Sequence, residues 1–336
     1  MAHRNGHTRY ILQRINKHVF RDPVSLMVNI RRVTEHLQSR IDDGSHCLTL
    51  VATDEGGDCF FDQEQQYWRV YRFIAGARTV DRARNREQAR QAAAIFGRFQ
   101  SLLCDLPGPR LYETIPGFHD TPARYRQFRQ ALDRDPYDRA RQCGAEIDNA
   151  LSFEQGAGVL AELQAAGELP ERIAHNDTKL NNVMFDERSG AATCVIDLDT
   201  VMPGLVLHDF GDLVRSATTS ATEDEPDPSR IEMRLDYFSA LAEAYLDATM
   251  DFLTAEEIGC LALAGKIITI ETGLRFLTDY LSGDEYFRTH RPGHNLDRCK
   301  SQFALAASID AQLAAMEDVV AGLVSRLASN RPVGPS

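Results

Sequence analysis

The chain has 336 residues, 43% of them hydrophobic, and a formal net charge of -12. That length supports a sizeable core divided between two lobes or domains, and the acidic balance opposes the basic footprint that nucleic acid or an anionic membrane surface would need, which leaves a small-molecule partner. Seven scattered cysteines with no Cys-x-x-Cys pair suit free thiols in a reducing cytosol; with no apolar signal core and no run of about 18 apolar residues, the protein is expected in the cytoplasm, off the membrane.

The first seventy-odd residues read as a small mixed lobe. "TRYILQRIN" (8–16) and "YWRVYRFI" (67–74) are rich in β-branched and aromatic residues, and "TLVATDEGGDCFF" (49–61) places a Gly-Gly turn between two short apolar runs, as in a hairpin. Between them "DPVSLMVNIRRVTEHLQSR" (22–40) predicts a helix, with Pro23 in its first turn and Leu26, Ile30, Val33 and Leu37 at helical spacing. "IAGARTV" (74–80) is the expected crossing into a larger helical lobe. There "DRARNREQAR" (81–90) reads as a solvated surface whose acids offset its arginines, followed by a helical face of Ile95, Phe96, Phe99, Leu102 and Leu103. The acidic, proline-bearing "TEDEPDPS" (222–229) has no periodic face and predicts a mobile surface loop. Leu235, Phe238, Leu241, Ala242 and Tyr245 predict one further helix, and the stripe Ile309, Leu313, Met316, Val320, Leu323 and Leu327 predicts a single C-terminal one.

Chemistry concentrates in residues 172–200. "HNDTKLNN" (175–182) has a His-x-Asp followed five residues after the Asp by Asn, with a lysine two after the Asp, the catalytic-loop pattern of kinases. Phosphoryl transfer asks for a carboxylate to orient the attacking hydroxyl, a cation on the moving group and oxygen ligands for magnesium. Asp177 fits the base, Lys179 the phosphate contact and Asn182 a metal ligand, with His175 a polar anchor of the loop. "NVMF", "DERSG" and "ATCVID" predict a β-hairpin that brings Asp197 back to Asn182, so that two oxygen ligands share a hard cation. A literal "DFG" stands at Asp209, Phe210 and Gly211, beyond that hairpin. Asp209 and Asp212 are therefore read as structural acids that cap or brace a helix through "GDLVRSA".

Together with "RYILQRIN", "FHDTPARYRQF", "IDLDTVMPG", "ETGLRFLTDYLSGDEYF" and "HNLDR", these residues resemble the aminoglycoside phosphotransferase and choline kinase superfamily over nearly the whole chain, and within it the branch of N-acetylhexosamine 1-kinases. The resemblance implies an α+β, two-lobed protein-kinase-like fold, with a small nucleotide-binding lobe over 1–75 and a helical lobe over 76–336. It implies ATP and Mg2+ as cofactors and transfer of the γ-phosphoryl group to the anomeric hydroxyl of N-acetylglucosamine or N-acetylgalactosamine, with another small hydroxylated acceptor as the alternative. Asp177 then faces that hydroxyl, Arg275 and Tyr286 contact the sugar, and the backbone near Phe73 and Ile74 in "YRFIAG" faces adenine. Two departures stand out. The lysine expected on the third strand is replaced by Gln13, and the two strands with a glycine-containing phosphate loop that precede "RYILQRIN" in this fold have only "MAHRNGHT" in their place. The first strand is thus expected at an exposed edge, in a chain that starts downstream of its true beginning or in a weakly active sugar-binding pseudokinase.

Overall fold

The computed structural model describes residues 8–41 and 47–330, and the expected two-lobed α+β architecture is what those residues adopt. The small lobe contains β1 (Tyr10–Arg14), α1 (Pro23–Arg40), β2 (Leu50–Val51), β3 (Phe60–Phe61) and β4 (Tyr67–Arg72). Helix α1 starts where the sequence dictates. Asp22 accepts a hydrogen bond from the Ser25 N–H at 3.1 Å, Pro23 needs no N–H at the first position, and Leu26, Met27, Ile30, Val33 and Leu37 form its buried face. Strand β4 organises the sheet. It pairs antiparallel with β1, placing Gln13 opposite Arg69. The expected hairpin between β2 and β3 does not form: both pair with β4 instead, through Leu50 with Tyr71 and through Phe60 with Trp68. The Gly56–Gly57 segment still turns, closed by Gly56 N–H to Thr53 O at 2.8 Å, but it loops out between two short strands that share one partner. Strand β1 is exposed along its whole length and pairs, among the described residues, only with β4. The "MAHRNG" and His7 that precede it lie outside the described residues.

The larger lobe begins with β5 (Ala77–Arg78) and α2 (Arg86–Leu103), then α3 (Thr121–Arg134), α4 (Gly144–Ala157) and α5 (Val159–Ala165). The chain passes through β6 (Arg172–Ala174), the hairpin β7 (Val183–Asp186) and β8 (Ala192–Val195), β9 (Met202–Gly204) and α6 (Val206–Ala217). It ends with α7 (Leu235–Thr249), α8 (Ala255–Gly259), α9 (Leu261–Ser282), α10 (His294–Ala311) and α11 (Leu313–Asn330). The C-terminal stripe is thus divided between two helices: Ile309 lies in the last turn of α10, and the chain breaks at Gln312, whose side-chain amide donates to Met233 O at 2.8 Å. The acidic 222–229 segment is tied to the body, Glu223 to Arg215 at 3.0 Å and Asp224 to His294 at 3.2 Å. Among the described residues no helix is long and apolar enough to cross a membrane.

Helices α6 and α9 cross at the centre of this lobe, and two glycines set how closely. A Cβ on Gly211 would stand 2.5 Å from Ala264 O, and one on Gly265 would stand 2.8 Å from Val214 Cγ1. Both positions therefore reject any side chain. Gly211→Ala is expected to destabilise the protein by about 1–3 kcal/mol through overpacking, read as a lower urea midpoint with an unchanged slope.

Candidate active site

The loop after β6 is held by an acid that reaches up from α6. Asp209, fully buried, accepts the N–H groups of His175 at 2.8 Å and Asn176 at 2.6 Å, and also the Gln100 amide of α2 at 2.6 Å. Its own carbonyl accepts the Thr178 hydroxyl at 2.5 Å. Burial raises the Asp209 carboxyl above its ordinary value, and the three donors compensate for the lost water. The expectation that Asp209 caps or braces its own helix is corrected: it lies inside α6, whose first flanking residue is Leu205, and it braces the loop. Asp212 does brace α6, pairing with Arg215 at 2.7 Å. Phe210 is core and Gly211 a helix-crossing contact, so the literal "DFG" has three packing roles. His175 anchors the loop as expected: it is fully buried, with Nε2 3.0 Å from Ile196 O and its ring edge-on to Phe96.

This bracing presents Asn176 at φ +63° and directs Asp177 toward Lys179 and Asn182. Lys179 Nζ lies 3.0 Å from Asp177 Oδ2, and the Asn182 amide donates to the same oxygen at 3.0 Å and to Asp177 O at 2.8 Å. Burial works to raise the Asp177 carboxyl, but the Lys179 ammonium outweighs it and holds the group below the ordinary carboxylate range. Lys179 is raised by the same pair, against its burial. The hairpin does what its sequence predicts: Val183 pairs with Val195, and the Ile196 N–H donates to Asn182 O at 2.9 Å. Asp197 therefore follows directly beside Asn182.

Asp197 stands at φ +62°, and among the described residues its carboxylate accepts no hydrogen bond. Burial first, then the charges of Asp199 and Asp177, raise its pKa. A carboxylate crowded by carboxylates, next to an amide, is the donor set of a hard cation, so the residues present fit magnesium. No three His, Cys, Asp or Glu side chains converge on one metal-sized point among the described residues; a cation here would take its other ligands from phosphate oxygens and water.

On the small-lobe side Gln13 faces Arg69, whose Nε donates to Gln13 Oε1 at 3.1 Å. The buried cation of this lobe is Arg69 itself, which reaches across to form an ion pair with Asp199. Sequence reasoning passed over Arg69; its alternation with the apolar Val70 and Tyr71 hid a charge that only the lobe contact explains. Phe73 and Ile74 sit where the chain crosses between lobes. The Phe73 N–H donates to Arg9 O at 2.9 Å.

On the opposite side Arg275 and Tyr286 do meet. The Arg275 guanidinium lies over the rings of Phe118, Phe287 and Tyr286 at 4.8, 5.5 and 5.9 Å, beside a cavity of about 250 Å³. One turn before Arg275 on α9, Glu271 holds His119 Nδ1 at 2.7 Å and the Thr121 hydroxyl at 2.5 Å, and His119 Nε2 lies 3.1 Å from Asn176 O. This pair was also missed, because "FHDTP" carries no spacing that points to a partner 152 residues away. It ties the cavity wall to the peptide immediately before Asp177.

The model of a family described as "Phosphotransferase enzyme family" matches residues 2–258 of the chain. Among solved structures, an aminoglycoside phosphotransferase from Alicyclobacillus acidocaldarius is 16% identical with a TM-score of 0.55, covering 95% of this chain and 92% of its own. An amicoumacin kinase in complex with AMP-PNP and Ca2+ is 15% identical with a TM-score of 0.54, covering 94% of this chain and 82% of its own. The choline kinase of Streptococcus pneumoniae is 13% identical with a TM-score of 0.50, covering 95% and 87%. At these identities the likeness is one of fold.

The histidine pair beneath the loop makes stability depend on pH. The His208 ring centroid lies 4.6 Å from that of His119, the two rings tilted by 41°; burial, and then His119, push it down from its ordinary 6.5 to about 3. The unfolded chain therefore takes up a proton that the folded one refuses, and stability is lost as pH falls from about 6.5 toward 3. Burial alone would raise Glu271, but His119 and Arg275 pull it down to about 2, so a second loss opens below its ordinary 4.5. Urea unfolding at pH 7 and pH 5 is expected to show a lower midpoint at pH 5, and His208→Gln is expected to flatten that difference.

Proposed function

We propose that this chain, which belongs to the phosphotransferase enzyme family by its match over residues 2–258, moves the γ-phosphoryl group of ATP to the anomeric hydroxyl of an N-acetylhexosamine, N-acetylglucosamine or N-acetylgalactosamine, and releases the 1-phosphate. The observation that carries the reading is the contact of Asp177, Lys179 and Asn182 within 3.0 Å, with Asp197, which accepts no hydrogen bond among the described residues, following the hairpin. The sugar rests on the resemblance of "IDLDTVMPG" and "GLRFLTDYL".

In this reading Asp177 accepts the proton of the attacking hydroxyl. Lys179 keeps the carboxylate ionised before the reaction, and Asn182 fixes its rotamer. The Lys179 ammonium also lies where charge grows on the transferred group, which a fixed cation stabilises without rearrangement. Asn182 and Asp197 hold magnesium, which when bound neutralises phosphate charge and aligns the nucleotide. Phe73 O and the Ile74 backbone face adenine, and the free amide of Gln13 faces the phosphates in place of a lysine, steadied by Arg69. Arg275 and Tyr286 bound the sugar on the far side.

ADP release is the test. With ATP and magnesium, turnover is expected with at least one of the two N-acetylhexosamines; turnover only with an aminoglycoside, choline or homoserine would replace the sugar reading by its alternative. Asp177→Asn is expected to lower kcat by about a hundredfold to ten-thousandfold with the fold retained by circular dichroism, since its shape is preserved.

A further inference from the structure

The cavity beside Arg275 contains a second guanidinium that neither the loop pattern nor the family resemblance singles out. Arg124, in the first turn of α3, donates through Nη1 to Gln127 Oε1 at 3.1 Å and through Nη2 to Phe118 O at 2.6 Å. Its Nε is buried without a hydrogen-bond partner. Arg275 is more open still in its bonding: beyond its three aromatic neighbours it makes no hydrogen bond or ion pair among the described residues. The two arginines line the same cavity. Burial and then the Arg275 charge lower the Arg124 pKa, against the pull of Glu271, so the two cations feel one another across the cavity.

Among the described residues no nearby acid hydrogen-bonds either guanidinium. Asp279 accepts the N–H groups of Tyr286 and Phe287 at 2.8 and 2.9 Å and the Asn295 amide at 2.8 Å. Glu271 faces His119 and Thr121, and Glu285 is exposed at the rim. The cavity thus supplies unmatched donors and positive charge. A ligand that completes it must bring acceptor oxygens, and one that brings an ammonium leaves donors unmet and adds a like charge.

We propose that Arg124 and Arg275 act as a pair that determines acceptor specificity, selecting molecules that turn an acyl carbonyl, carboxylate or hydroxyl oxygen toward α3 and rejecting those that turn an ammonium group there. The proposal rests on the reading of this cavity as the acceptor site. It places Arg124, on an element remote in sequence from the catalytic loop, among the residues that touch substrate, and it makes charge rather than size the main filter.

Three sugars of one skeleton separate the outcomes: N-acetylglucosamine, glucuronic acid and glucosamine, titrated calorimetrically into the full chain at about pH 6.5, where the amine is protonated. N-acetylglucosamine is expected to bind at least about tenfold more tightly than glucosamine, with glucuronic acid on the favoured side. Arg124→Glu is expected to reduce that ratio by about tenfold or more, and Arg124→Gln, which removes the charge with less disturbance, by a smaller factor in the same direction. Equal binding of glucosamine and N-acetylglucosamine, an unchanged ratio in both variants, or no binding of any of the three would overturn the proposal. Binding ranked as expected without ADP release from any of them would uphold the charge filter while sinking the N-acetylhexosamine kinase reading.

Discussion

A single buried carboxylate sets the geometry on which the rest depends. Asp209 has no water, so it must find donors within the protein, and it finds them in two consecutive backbone N–H groups of the loop and one amide of α2. Those bonds fix the peptides of His175 and Asn176, and with them the left-handed turn at Asn176 and the direction in which Asp177 leaves the loop. The acid can reach that far only because α6 lies deep in the lobe, and α6 lies deep because Gly211 and Gly265 let α9 approach to backbone contact. Helix crossing, loop conformation and the direction of Asp177 form one chain of causes.

Asp197 poses the opposite case. It has the same side chain and similar crowding, but among the described residues no donor bonds to it, and after burial Asp199 and Asp177 outweigh His175 and Lys179 in raising its pKa. A protein that compensates one acid with three hydrogen bonds and leaves another bare beside an asparagine has arranged for a different partner for the second. That contrast, more than any single distance, marks Asp209 as a structural acid and supports the metal role proposed for Asp197. Arg69, crossing from the small lobe, pairs with Asp199 and so lowers the number of unpaired carboxylates beside Asp197.

The sequence was legible where function is written in short spacing. Asp177, Lys179 and Asn182 lie within six residues, and the hairpin that returns Asp197 has apolar runs and a glycine turn that leave little choice of pairing. Helix α1 was legible from its cap and its stripe. What could not be read were contacts made across long separations: Gln100 with Asp209, His119 with Glu271, Arg69 with Asp199, and Arg124 beside Arg275. None has a local pattern, since each partner is an ordinary polar residue on its own helix or strand. The short runs at 50–51 and 60–61 misled for a related reason. Their turn is real, but strand pairing is decided by β4, which offers each of them more contact than they offer one another. The C-terminal stripe misled because apolar periodicity continues across the break at Gln312, where a side-chain bond to Met233 O, invisible in the stripe, redirects the chain.

The division of labour between the two acids is open to one direct measurement. Calorimetric titration of Mn2+ into the full chain in the presence of ADP should give an affinity that falls at least about tenfold in Asp197→Asn, since loss of a ligand should cost no less than loss of a supporting contact. In Asp209→Asn the affinity should stay near that of the unaltered protein while the unfolding midpoint drops. Loss of Mn2+ binding in Asp209→Asn with full retention in Asp197→Asn would contradict the assignment and return the metal to the literal "DFG".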